Sequence, residues 1–167
     1  MSQPYDWTRF TVHAYYSATP EELLRVWATS RGLCSFFLEE ARLEGPAGEV
    51  RGPEEPARSG DRYAWTWRQG GSLEGTFLRV EEQLVAFSFG SMQVEVRLVP
   101  VEGGTRLDLL QTDIADDERG RIMGHLNCRS CWVFFLTNLL SVLHHGTDLR
   151  DRSPERTMSM EVGFPVP

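Results

Sequence analysis

LVAFSFGSMQVEVRLVPVEGGTRLDLLQTD, residues Leu84 to Asp113, is the stretch whose reading decides the fold. Three short strand-like runs follow one another, Leu84 to Gly90, mostly apolar, then Met92 to Val99 and Thr105 to Asp113, in which apolar and polar residues alternate, with Gly103-Gly104 punctuating the last two. A period of two is the signature of strands with one face buried and one wet. It places Met92, Val94, Val96 and Leu98 on one face of one run, and Leu107, Leu109 and Gln111 on one face of the next. Two further strands precede these, Arg62 to Arg68 and Ser72 to Glu81, separated by Gln69-Gly70-Gly71. Tyr63, Trp65 and Trp67 share a face of the first. Five successive short strands with turn residues between them predict an antiparallel meander with one apolar, aromatic face.

The flanks predict what covers that face. Phe10 to Tyr16 alternates as a first strand. Thr19-Pro20-Glu21-Glu22 then combines an N-cap hydroxyl, proline at the first helical position and a glutamate that can reach back to the cap, so a helix starts there. The pattern carries Leu23, Leu24 and Trp27 to about Thr29, with Gly32 read as the interruption before a shorter helical piece through Cys34, Phe36 and Phe37. Glu39 to Glu44 reads as a short strand, and Gly45 to Asp61, rich in glycine, proline and charge, as a mobile loop. Asp116-Asp117-Glu118 places negative charge at the start of the longest helical pattern, which runs to His145 and stops at Gly146. At about 100° per residue, His125, Cys128, Trp132, Phe135, Leu136, Leu139 and Leu143 form one stripe, expected to lie on the sheet. Residues 1–150 read as a single domain and 151–167 as an extended tail.

Composition bounds the function. The 167 residues carry 17 basic and 24 acidic side chains, a formal charge of −7, which opposes nucleic-acid or anionic-membrane binding. All 17 basic residues are arginine, so neither a Schiff-base lysine nor a phosphate-loop lysine is present. Three cysteines, Cys34, Cys128 and Cys131, argue for reduced thiols rather than a disulfide framework. With no apolar signal segment visible near Met1, a cytoplasmic location is expected. The uncharged stretch Ser130 to Thr147 includes Thr137, Asn138 and two histidines, and reads as a buried helix rather than a span of ~30 Å of hydrocarbon. No membrane insertion is expected.

Strand, two short helices, a run of antiparallel strands and one long C-terminal helix is the element order of an α+β helix-grip fold, a curved sheet wrapped around that helix. Ala18-Thr19-Pro20-Glu21-Glu22 with Trp27, Gly60-Asp61-Arg62-Tyr63, Gly104-Thr105-Arg106-Leu107, and Trp132 with Leu136, Leu139, Leu140 and Gly146-Thr147-Asp148-Leu149-Arg150 resemble the START-like SRPBCC superfamily. Within it the chain looks most like the heat-shock-protein-90 ATPase activator homologue branch. The resemblance covers about Thr11 to Arg150, and its motifs are caps, turns, a core tryptophan and a helix end. Cys34-Ser35-Phe36-Phe37 departs from the branch, where relatives often carry a tryptophan, and so does the long Gly45 to Asp61 loop. The eukaryotic activator that names the branch adds a separate N-terminal domain contributing to chaperone binding, for which these 167 residues leave no room. The resemblance implies the fold and a cavity for a small hydrophobic ligand, with a chaperone link as an alternative.

The expected ligand site gathers Trp65, Trp67, Phe87, Phe89, Met92 and Leu109 from the sheet and Trp132, Phe135 and Leu139 from the helix, with Gln111 and His125 as polar anchors. The same residues could simply fill a core. Catalysis would fall to His125 or Asp113, but no nucleophile, base and orienting group occur as a set, so non-enzymatic binding is preferred to a cyclase-like or hydrolase-like enzyme. Cys128-Arg129-Ser130-Cys131 with His125 spreads over ~120° of a helix, well inside it, which suits two buried thiols better than a metal or redox site. No cofactor is implied. His144-His145 is expected to meet the last helical carbonyls, and Val133 and Phe134, pointing off the main stripe, would form a surface for a homodimer. The alternative of a different class is a protein-interaction module with a filled interior.

Overall fold

The computed structural model describes residues 4–68, 71–153 and 155. Seven strands, β1 (Phe10–Tyr16), β2 (Glu40–Glu44), β3 (Arg62–Thr66), β4 (Ser72–Glu81), β5 (Leu84–Phe89), β6 (Met92–Val101) and β7 (Gly104–Thr112), form one antiparallel sheet in the order β1-β7-β6-β5-β4-β3-β2. The helices α1 (Pro20–Ala28) and α2 (Ser30–Phe36) follow β1, and the chain closes with a π-helix (Gly120–Asn127) running directly into α3 (Cys128–His145). This is the expected α+β helix-grip architecture.

Strand β4 is the corner of the sheet. Its first half, Ser72 to Thr76, pairs with β3, and its second, Phe77 to Glu81, pairs with β5, with a bulge between Phe77 and Arg79 that turns Leu78 outward. The backbone groups freed at the corner find partners: Ser88 Oγ accepts from the Thr76 N–H (2.9 Å), Asp61 O accepts from the Phe77 N–H (2.8 Å), and the Tyr63 hydroxyl donates to Ser88 O. The concave face carries the alternating residues read from the sequence, with Phe87, Val94, Val96, Leu98, Leu107 and Leu109 fully buried.

The helix pair breaks at Thr29, not at Gly32. Thr29 leaves helical geometry (φ −116°, ψ 150°); its hydroxyl donates to Arg25 O (2.7 Å) and accepts from the Gly32 N–H (3.0 Å), ending one helix and starting the next. Gly32 lies within α2, where a Cβ would strike the backbone of Val26, so it permits close approach rather than a stop. The Thr19 capping box with Glu22 forms as read.

The Gly45 to Asp61 loop is tied down rather than mobile in construction. Arg51 donates two hydrogen bonds to Asp61 (2.8 and 2.9 Å) and one to Glu55 (3.1 Å), Asp61 also accepts from the Arg58 N–H (2.9 Å), and the Ala57 N–H donates to Ala28 O (2.6 Å). Arg51 and Asp61 are both buried, and the bonds from Arg51 hold the Asp61 carboxyl below its usual range.

The C-terminal rod also departs from a single α-helix. Asp117 Oδ1 accepts from the Gly120 N–H (2.7 Å) at its start, as the acidic run suggested. The π-register of Gly120–Asn127 then offsets His125 from the α-helical stripe that Trp132, Phe135, Leu136 and Leu139 follow. Gly124 allows this section onto the sheet, since a Cβ there would sit 2.8 Å from Ile114 Cγ2 and 3.3 Å from Met92 Sδ. Gly120–His145 is longer than the uncharged stretch suggested and would suffice for a membrane span by length and composition; its buried stripe is the grip helix of the core. Gly146, left-handed at φ 65°, ends it. Most of the expected 151–167 tail lies outside the described residues.

Candidate functional site

Aromatic rings from five elements meet between sheet and helix. Phe37, the residue that caps α2, is in contact with Trp65 (5.7 Å between ring centroids), Trp67 (5.4 Å), Trp132 (5.0 Å) and Phe135 (4.9 Å). Phe87 meets Trp65 (5.1 Å) and Trp27 (6.4 Å), and Phe89 meets Trp132 (5.7 Å). Trp27 of α1 reaches Trp132 (6.0 Å) and Phe36 (5.2 Å). Most pairs are edge-to-face or tilted, the geometry aromatic quadrupoles favour. Six of the sequence-predicted residues, Trp65, Trp67, Phe87, Phe89, Trp132 and Phe135, are thus brought together, and Leu109 and Leu139 are buried in the same core.

The other predicted residues adjoin these rings on the side toward β1, under the π-helix. Gln111 is fully buried; its amide N–H donates to Gly124 O (3.1 Å) and to Met92 Sδ (3.1 Å), while its carbonyl accepts from Trp132 Nε1 (2.8 Å). The side chain is spent joining the sheet to the π-helix and to α3. His125 is boxed by Tyr5, Trp7 and Phe10. Nδ1 lies 3.0 Å from Trp7 O, which can only accept, so Nδ1 carries the proton and Nε2 accepts from the Tyr5 hydroxyl (2.8 Å). Burial holds the imidazole below its usual pKa, so it is neutral at pH 7. Both ring nitrogens are engaged away from the aromatic centre. Asp113, the other acid-base candidate, is exposed at a left-handed turn (φ 61°).

The aromatic centre approaches solvent at a mouth lined by Phe37, Trp67 and Phe135 with Glu39, Arg68, Arg150 and Asp151, a space of about 10 Å³. That admits one water. Its charged rim is already paired: Arg68 donates to Glu39 (3.0 Å) and to Asp151 O (2.8 Å), and Arg150 donates to Asp148 (2.8 Å), Leu38 O (2.7 Å) and Cys34 O (2.9 Å). Asn138, fully buried on α3, donates to Phe36 O (2.8 Å) and accepts from the Leu149 N–H (2.7 Å). Asn138 and Arg150 therefore satisfy the carbonyls at the end of α2 and hold Phe37 at the mouth. A larger groove of about 530 Å³ lies on the outward face of β2, β3 and β4, where Glu44 pairs with Arg62 (2.6 Å) and Arg42 (3.4 Å); it includes none of the predicted residues.

Sequence reasoning read Trp27 and Phe36 as helix residues, Asn138 as part of an uncharged helix and Arg150 as part of a helix-end motif, and gave none of them a place in the site. Nothing in the local pattern says that α1 packs against β5 and β6 and that α2 packs against β2. Cys128 and Cys131 are half-buried, and burial raises both thiols, Cys131 to about 11. Among the described residues no group of three His, Cys, Asp or Glu side chains is placed to hold a metal ion. His144 accepts from the Ser17 N–H (3.1 Å), so it fastens the end of β1 instead of meeting the last helical carbonyls.

No family model and no curated protein matches the chain. Solved structures do. Protein SSP2350 of Staphylococcus saprophyticus aligns at 18% identity and a TM-score of 0.68 over 85% of this chain and 96% of its own. The Aha1 dimer of Colwellia psychrerythraea aligns at 16% identity and 0.66 over 83% and 98%. DynU16, from the dynemicin biosynthetic locus, aligns at 15% identity and 0.66 over 84% of this chain and 49% of its own. The chain has an Aha1-like helix-grip fold, as the sequence resemblance implied.

Proposed function

We propose that the protein binds a small, largely apolar molecule between the sheet and α3, without chemistry of its own. The observation that supports this is the unbroken series of ring contacts leading from Trp27 and Phe87 at the sealed centre through Phe37 to the half-buried Trp67 at the mouth. Phe37 is the ring that a ligand must displace: it stands at the end of a two-turn helix, so a rotation of its side chain opens the path while the sheet stays in place. The Trp67, Phe135, Phe89 and Trp132 rings then form the walls, with Leu109 and Leu139 behind them. Met92, Gln111 and His125 support the far end rather than touching the ligand. The free thiols and the acidic surface fit a cytoplasmic setting.

Native mass spectrometry of the freshly purified protein, followed by denaturing extraction, tests this. A near-stoichiometric lipid or aromatic metabolite is expected; an apo mass that also fails to shift with any of a panel of neutral aromatic compounds overturns it.

A second reading, self-association, rests on a separate observation. Met123 and Val133 on the outward side of the C-terminal rod are 43% and 49% exposed. The Colwellia protein of the same fold is a dimer. Light scattering of the wild type and of Val133→Glu distinguishes a dimer, which the variant dissociates, from a monomer indifferent to it.

A further inference from the structure

Among the described residues, two buried side-chain polar atoms have no hydrogen-bond partner: Nε1 of Trp27 and Nε1 of Trp65. The rest of the core follows the opposite rule. Gln111, Asn138, Thr105 and Tyr16 all reach partners, and the third buried indole, Trp132, donates to Gln111. A buried indole N–H stripped of water and left unpaired weakens a fold, and phenylalanine would fill such a place without that penalty. The two unpaired donors also share one neighbourhood. Phe87 contacts both indoles, and Phe37 contacts Trp65 and the Trp132 ring that packs on Trp27.

The chemistry of the surroundings narrows what these donors would take. The two arginines at the mouth are already matched by Glu39, Asp148 and backbone carbonyls, so an incoming carboxylate or phosphate would lose its water and meet no unpaired cation. A keto or ether oxygen carries no such penalty and accepts from an indole N–H. We infer that the molecule bound between sheet and helix is a neutral ring compound carrying a keto or ether oxygen, and that Trp65 and Trp27 donate to it from the two sides of Phe87. This rests on the binding reading above and adds the polar group that the ligand must bear. Gln111 and His125, which sequence reasoning had offered as anchors, are already saturated; the anchors are the indoles.

Matched probes separate the two claims: fluorenone against fluorene, and acetophenone against ethylbenzene, each pair alike in shape and differing in the ketone. Binding is measured by calorimetry and by the indole N–H resonances of the intact protein. At least one ketone is expected to bind about tenfold more tightly than its hydrocarbon. The Trp65 and Trp27 indole resonances should move downfield while that of Trp132 stays. In Trp65→Phe, checked by its melting curve, the ketone-to-hydrocarbon ratio should fall toward one, with Trp27→Phe as the second variant should the first fail to fold. Equal binding of ketone and hydrocarbon with unmoved indole resonances overturns the inference and leaves the binding reading standing. No binding of either pair overturns both.

Discussion

The two ends of the interior differ in how they treat polar atoms. Under the π-helix, Gln111, His125, Tyr5 and the carbonyls of Trp7 and Gly124 form bonds in which each side-chain group has a partner. Two strands across the sheet from Gln111, beyond Val94, the rings around Phe87 pack against one another and two indole donors face no acceptor. The first arrangement locks one geometry, because each bond lost exposes a buried group with nowhere to turn. The second is held by non-directional ring packing and has donors to spare. One end is built as a fixed joint, the other as a place where something can be exchanged.

Breaking the fixed end should cost most. Gln111→Ala leaves Trp132 Nε1 and Gly124 O unpaired together and should destabilise by about 2–6 kcal/mol in urea unfolding; a loss below about 1 kcal/mol would dissolve the contrast between the ends. A sharper comparison changes tryptophan to phenylalanine at both. Trp132→Phe should cost about 1–3 kcal/mol more than Trp65→Phe, since only the former surrenders a made bond and strands the Gln111 carbonyl. Equal losses would mean that the Trp65 N–H is satisfied, for instance by a ring face.

Smaller effects probe the His125 joint. Tyr5→Phe removes the bond to Nε2 and should cost about 0.5–1.5 kcal/mol. The pH dependence is the gentlest test. Burial, reinforced by Arg129 and opposed by the Trp7 carbonyl and Asp6, puts the folded pKa of His125 below its usual 6.5. In the window between the folded value and 6.5, the unfolded chain binds the extra proton, so stability present above pH 6.5 is lost as pH falls toward the folded value. Melting temperatures from pH 7.5 to 5 should decline in the wild type and decline less in His125→Gln; identical slopes would remove His125 from the account.

How far the site was legible follows from the same physics. Strand alternation put Trp65 and Leu109 inward because a period of two allows only two faces, and one of them was too apolar to face water. The helical stripe found Trp132, Phe135 and Leu139 for the same reason. His125 belonged to that stripe only under α-helical periodicity, and the π-register moved it to the N-terminal segment. Arg51 and Asp61 looked like loop charge because nine intervening residues hide that they meet. Asn138 looked like polar relief on an apolar helix, and Trp27 like ordinary packing of α1.

The amino-acid sequence by itself determined the element order, the antiparallel sheet, the caps at Thr19 and Gly146, and which face of each strand is buried. These are set by dihedral preference, periodicity and the cost of wetting apolar surface, all expressed within a few residues. Only the tertiary structure decided which polar atoms are paired. That depends on groups brought together from distant parts of the chain: Gln111 met by Trp132, Asn138 by Phe36, and the indoles of Trp27 and Trp65 by rings among which their N–H groups find no hydrogen-bond partner. Hydrogen bonds are short-ranged and directional, so their fulfilment is a property of the assembled core.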